Sequence, residues 1–268
     1  LALVGTGGTI AGAGTAPEGG MSAAYQSAVV GADALVAGVP ALARLAELRA
    51  EQLLQIDSAD FTDALLLRLA RRVAELCARD DVDGVVITHG TDTMEESAYF
   101  LHLTVRSSKP IVLTGAMRPA TALAADGPAN LLHAVAVAAH PSSAGRGVLV
   151  VMNEEIHSAR DVAKVHAARL DAFASPHGPL GLVAEGAPRW YRALTRPHTT
   201  ASDFDIAALD ALPLVGVVTS HGNMRAEIHD AWVAQGARAI VHAGFGGGTV
   251  PDYLKARLAA LRARGVLL

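Results

Sequence analysis

The chain has 268 residues, 51% hydrophobic, 18% charged and 4% aromatic, with a formal net charge of −4. That is enough for one large or two smaller globular domains, and without a basic stripe or a stacking platform nucleic acid is not expected as a partner. No apolar run reaches the roughly 18–20 residues of a membrane-spanning helix, and a single cysteine, Cys77, leaves no internal disulfide framework.

In chain order, LALV (1–4) reads as a strand leading into a glycine-rich turn, with no signal peptide visible before it. Residues 13–30 have no periodicity and form a surface loop of a length that is often functional. From Thr62 to Arg79, Leu65, Leu66, Leu69, Val73 and Leu76 repeat at helical spacing with arginines opposite. Strand 85–88, helix 94–105, strand 111–114, helix 128–139 and strand 148–152 follow. Strands alternating with helices predict βαβ units, right-handed crossovers and a parallel sheet, in a large α/β domain of flavodoxin or Rossmann type.

Between about 176 and 213 five prolines (176, 179, 188, 197 and 213) break the pattern, which predicts a β-rich excursion and then a linker. The βαβ pattern returns with strand 214–218, helix 225–235, strand 239–241 and helix 251–264. The expected organisation is therefore an N-terminal α/β domain over 1–190, a linker over 191–212 and a smaller C-terminal α/β domain over 213–268. Because Gly265-Val266-Leu267-Leu268 reads as the start of a buried strand, further residues are expected beyond 268.

In a doubly wound sheet ligands bind at the carboxyl ends of the strands. Three polar segments fall there: GTGGTIAG (5–12), THGTDT (88–93) and TGAMRP (114–119). The first is not a dinucleotide fingerprint, since Ile10 occupies the third glycine position, and no Gly-Lys-Ser/Thr follows for a P-loop. Its glycines allow a backbone to approach a ligand closely, with Thr6 and Thr9 beside it. Taken singly, each threonine turn also reads as a tight turn with helix-capping residues. Taken together, two such turns on one sheet edge offer backbone donors for an oxyanion and hydroxyls for nucleophile and relay.

A hydroxyl nucleophile needs a base. None of the eleven histidines falls in a zinc pattern or a recognisable triad, and Val218-Thr219-Ser220-His221-Gly222 lacks the first glycine of GxSxG. Lysine is the other candidate base. Of Lys109, Lys164 and Lys255, Lys164 follows strand 148–152 onto the same sheet edge.

These residues resemble the bacterial-type L-asparaginases, the type II branch in particular, over essentially the whole chain. GTGGTIAG and ITHGTDTMEESAYFL match the two threonine signatures; IDSADF (56–61), TGAMRP, ADGPANL (125–131) and VVMNEEIHSARDVAK (150–164) also match. The resemblance implies hydrolysis of L-asparagine to L-aspartate and ammonia through an acyl-enzyme on Thr9, with weaker L-glutaminase activity. Tyr25 would close over the site and help take the Thr9 proton. Thr91, Lys164 and Asp92 would form a second triad, with Asp92 also binding the substrate α-ammonium and Ser58 its α-carboxylate. The Ala116 carbonyl would accept from the amide nitrogen, and Gly8, Asp57, Ala59 and Gly90 complete the expected substrate-binding set. No metal or organic cofactor is implied. The implied assembly is a homotetramer of dimers with sites at subunit interfaces, placed in the cytoplasm, or in the periplasm if a signal peptide precedes Leu1.

Several positions depart from the family pattern. Ala59 stands where type II members usually have glutamine, which removes an amide partner for the α-ammonium. Gly247 replaces an asparagine that often reaches a neighbouring site, and the acidic residue donated across the interface would lie beyond Leu268. Cys77 matches half of a type II disulfide whose usual partner position is Ser107. Two other readings stay open here: an ammonia-producing subunit of a tRNA-dependent amidotransferase, and an asparagine-binding relative without turnover.

Overall fold

A computed structural model describes residues 1–14 and 25–268, so residues 15–24 of the expected loop lie outside the described residues. The chain divides into two compact units, Leu1–Ala208 and Leu209–Leu268. In chain order the first contains β1 (Ala2–Gly7), β2 (Ala13–Gly14), β3 (Tyr25–Gln26), α1 (Ala32–Ala37), β4 (Arg49–Ile56), α2 (Asp63–Ala78), β5 (Val85–Thr88) and α3 (Met94–Thr104). It continues with β6 (Ile111–Thr114), α4 (Gly127–Ala139), β7 (Val148–Met152), β8 (Glu155–Ser158), β9 (Ala163–Lys164), β10 (Phe173–Ala174), β11 (Gly181–Ala184) and β12 (Ala187–Trp190).

The main sheet runs β12-β11-β8-β7-β6-β5-β1-β4, parallel from β4 to β7 and antiparallel beyond. Counted among themselves, the five parallel strands stand in the order 2-1-3-4-5, the flavodoxin-like winding. The parallel strands are unbroken apolar runs because both faces are covered. Val85 and Ile87 pack with Leu69, Val73 and Leu101, whereas Val86 packs with Leu131, Val135 and Leu149. Thr62 caps α2, its hydroxyl accepting from the Leu65 N–H at 3.4 Å.

β4 is an element the hydrophobic pattern does not announce. It reads RAEQLLQI, buries only Leu54, and lies at the sheet edge, where polar side chains are tolerated. Its Glu51 accepts a two-pronged guanidinium contact from Arg72 of α2, at 2.7 and 2.6 Å. Cys77 is free and buried beside Ser107, and burial pushes its thiol pKa up.

The second unit is a separate βαβ module: β13 (Val215–Thr219), α5 (Glu227–Ala234), β14 (Ala239–Ala243) and α6 (Asp252–Ala263), with β13 and β14 parallel. Val218, Met224, Ile240, Leu254 and Leu261 form its core. Among the described residues, no helix is long and apolar enough to cross a membrane.

Candidate active site

Winding order decides where a crevice opens. In a 2-1-3-4-5 sheet it lies at the carboxyl ends of the first and third strands, from which the chain leaves toward opposite faces. Those strands are β1 and β5, and the turns that follow them carry Thr9 and Thr91. Backbone shape draws the two turns together. Gly7 and Gly8 have φ of 107° and 79°, and a Cβ on Gly8 would lie 2.3 Å from the Gly90 Cα. A Cβ on Gly90 would in turn lie 2.5 Å from the Ser58 Oγ. Glycine is thus required on both turns, by positive φ at one and by close packing at the other. Below them, the Thr6 hydroxyl donates to the Thr88 carbonyl at 2.9 Å, linking β1 to β5 beside the shift in the β1–β4 register.

Each threonine has a side-chain partner. Thr9 Oγ1 lies 2.7 Å from Tyr25 Oη, with β3 held to β2 by antiparallel pairing. Lys164 Nζ donates to Thr91 Oγ1 at 2.9 Å and to Asp92 Oδ1 at 2.5 Å. Thr91 is buried, Thr9, Tyr25 and Lys164 are half-buried, and Asp92 is exposed. Among the described residues, the backbone N–H groups of Thr9 and Thr91 have no protein acceptor. For Thr9 this follows from its place at the start of a short 3-10 turn, where the first donors have no intrahelical partner.

Ser58 is buried against Gly90, and its hydroxyl accepts the Asp92 N–H at 3.2 Å. Asp57 accepts the Ala59 N–H at 3.0 Å, which closes the turn that presents Ser58. Ala59 is exposed. Ala116 is buried in the turn after β6, and its carbonyl makes no hydrogen bond among the described residues. Thr93 precedes α3 but forms no side-chain cap; its hydroxyl donates instead to the Ser58 carbonyl at 2.9 Å.

The candidate residues therefore fall into two hydrogen-bonded sets, Thr9–Tyr25 and Thr91–Lys164–Asp92–Ser58, on turns whose glycine backbones touch. A family comparison bears on what this arrangement is. Residues 1–196 match the family model "Asparaginase, N-terminal". The chain belongs to the asparaginase family. Among curated asparaginase-family proteins, the glutaminase-asparaginase of Pseudomonas fluorescens biotype A is 49% identical over 266 residues, covering 99% of this chain and 73% of that protein. L-asparaginase 2 of Escherichia coli strain K12 is 44% identical over 251 residues, covering 93% and 71%. A crystal structure described as a probable cytoplasmic L-asparaginase from Campylobacter jejuni matches with a TM-score of 0.94 and 42% identity, over 99% of this chain and 81% of that one.

Around this asparaginase-family site are supporting residues that sequence reasoning did not assign. Glu95, in the first turn of α3, accepts the Lys164 backbone N–H and so ties β9 to that helix. Asp126 accepts the N–H groups of Met117 and Arg118, each at 2.9 Å, and Asn130 donates to the Gly115 carbonyl at 3.1 Å. His89 is fully buried, stacks on Phe61 and bonds the Gly90 carbonyl through Nδ1 at 2.8 Å. Burial holds its pKa down to about 4, so the ring is neutral at pH 7. The polar character of these residues is visible in the sequence; their partners are backbone groups, which carry no sequence mark.

Proposed function

We propose that the site hydrolyses L-asparagine to L-aspartate and ammonia, with glutamine turned over more slowly. The observation that carries this is the pair of threonine hydroxyls at the switch point, one on a tyrosine and one on a lysine–aspartate pair. Thr9 Oγ1 attacks the side-chain amide carbon while its proton passes by way of Tyr25 Oη toward the leaving amine. Departure of ammonia leaves an aspartyl ester on Thr9, and water activated at Thr91, polarised by Lys164, hydrolyses it. The N–H groups of Thr9 and Thr91, without a protein acceptor among the described residues, suit the oxyanion of each step, and one such donor is worth ~10²–10³ in rate.

The substrate is a small zwitterion. Asp92 receives its α-ammonium and Ser58 its α-carboxylate, while Gly8, Gly90, Asp57 and Ala59 shape the floor and rim. The Ala116 carbonyl, free of protein donors among the described residues, is available to the amide nitrogen. The intact hydroxyl and lysine network favours this reading over a binding relative without turnover, and relatives named glutaminase-asparaginase and L-asparaginase 2 favour it over a tRNA-dependent amidotransferase subunit. Assembly as a homotetramer of dimers and a cytoplasmic location belong to the same proposal. The likeness to the probable cytoplasmic L-asparaginase from Campylobacter jejuni supports that location, whereas a Haemophilus influenzae relative, 43% identical, is named a probable periplasmic L-asparaginase.

Ammonia release from asparagine, glutamine and their D-forms tests the activity, and size-exclusion chromatography tests the assembly. Thr9→Ala or Thr91→Val is expected to abolish release with an unchanged circular dichroism spectrum; near wild-type turnover in either would overturn that residue's role. A kcat/KM for glutamine equal to that for asparagine would overturn the substrate order.

A further inference from the structure

The segment Val218-Thr219-Ser220-His221-Gly222 departs from the nucleophile-elbow motif at its first glycine, yet its surroundings in the second unit supply what that motif serves. Ser220 directly follows β13, at the carboxyl end of a parallel strand, and precedes a turn and α5. Asn223 (φ 59°) takes the left-handed position of the turn, and the Ser220 N–H is fixed on the Ala243 carbonyl at 2.8 Å. Its Oγ lies 2.8 Å from Nε2 of His242 on β14. Nδ1 of His242 lies 2.9 Å from Nε2 of His229 on α5, and Nδ1 of His229 lies 3.2 Å from the Ala226 carbonyl.

That terminal carbonyl sets the direction of every bond in the chain. A carbonyl only accepts, so His229 carries its proton on Nδ1 and offers a lone pair at Nε2. His242 then donates from Nδ1 and keeps its own lone pair at Nε2, toward which the Ser220 hydroxyl must point. This is the nucleophile, base and orienting group of a hydrolytic triad, with a buried imidazole in the place of the usual carboxylate. Burial lowers the His242 pKa, which favours the neutral ring with that lone pair. Ser220 and His242 are half-buried and so reachable from solvent. Among the described residues, the N–H groups of His221 and Gly222 have no protein acceptor. They follow the hydroxyl directly, where an elbow nucleophile finds part of its oxyanion hole.

We propose that Ser220 and His242, oriented by His229, form a second nucleophilic centre that takes an acyl group from activated acyl esters. Ser220 Oγ bonds to the acyl carbon as the bond to the leaving oxygen breaks. The serine proton passes to His242 Nε2 and from there to the departing alkoxide or phenolate. His242 Nδ1 stays bonded to His229 throughout. The product is an O-acyl serine and a free alcohol, with no redox change.

The test uses the full chain carrying Thr9→Ala and Thr91→Val, with p-nitrophenyl acetate as the probe, so that acylation at the asparaginase site does not contribute. We expect a one-to-one burst of p-nitrophenolate and an acetyl group on the peptide containing Ser220. Adding Ser220→Ala removes both, and adding His242→Gln slows the burst by about 10²-fold, the usual range for losing a general base. His229→Leu slows it as well, whereas His229→Gln, whose side-chain oxygen still accepts from His242, retains it. Circular dichroism checks the fold of each protein. If the folded parent shows no acetyl on Ser220, or if the folded His242→Gln chain acetylates at the parent rate, the proposal is wrong.

Discussion

At the scale of single residues, Gly8 and Gly90 set the tolerance of the site, because there is room for neither Cβ. Gly8→Ala would place a methyl 2.3 Å from the Gly90 backbone, and φ of 79° adds strain. Strain alone at such a position costs roughly 1–3 kcal/mol. We expect Tm to fall by at least about 2 °C, together with loss of ammonia release. Ala59 is a gentler position, exposed on the rim. Ala59→Gln is expected to lower KM for asparagine by about 10-fold, the worth of one hydrogen bond to a charged group, with kcat nearly unchanged; an unaltered KM would remove the substrate-binding role given to this position. Thr9 and Thr91 stand out in the sequence because hydroxyls follow apolar strands at their carboxyl ends, and Lys164 because lysine is rare in this chain. Glu95, Asp126 and Asn130 do not stand out, since each acts on peptide groups that folding alone brings near.

Among the elements, β5, β6 and β7 are legible to the residue, because burial on both faces leaves an unbroken apolar run. α2 is legible because a single face repeats at helical spacing. β4 escapes the same reasoning: as an edge strand it needs few apolar side chains, and its own Glu51 pairs with Arg72 of α2. Thr93 likewise answers to a distant partner. Its type suits a helix cap, but the Ser58 carbonyl, 35 residues away in the chain, claims its hydroxyl. Glu95 joins two elements, α3 and β9, and its loss should be felt at Lys164. Glu95→Ala is expected to lower kcat by up to about 10²-fold, the cost of a misplacement near 1 Å. Glu95→Gln keeps an acceptor for the Lys164 N–H and should recover most of the rate. If both variants matched the wild type, Glu95 would have no positioning role.

For the molecule as a whole, acid is the condition to watch. His89, His102 and His157 are buried, and burial holds each at about 4, against 6.5 for a free histidine. Between those values the unfolded chain binds more protons than the folded one, so stability rises with pH there. The contribution of these histidines is fully present above about 6.5 and is lost as pH falls toward about 4. Thermal unfolding across that window should show a steadily falling Tm; a flat profile would mean that the rings are not held neutral. The order of the sheet was only partly legible. Alternating strands and helices predict a parallel sheet, but the 2-1-3-4-5 order depends on the edge position of β4, which the pattern does not reveal.

The contact between Gly8 and Gly90 also bears on how the site responds to occupancy. With backbone against backbone and no side chain between them to yield, the two turns form a single mechanical joint. A ligand that steadies one rim steadies the other. Hydrogen exchange at Thr9 and Thr91 should therefore slow together, in one step, when L-aspartate fills the site.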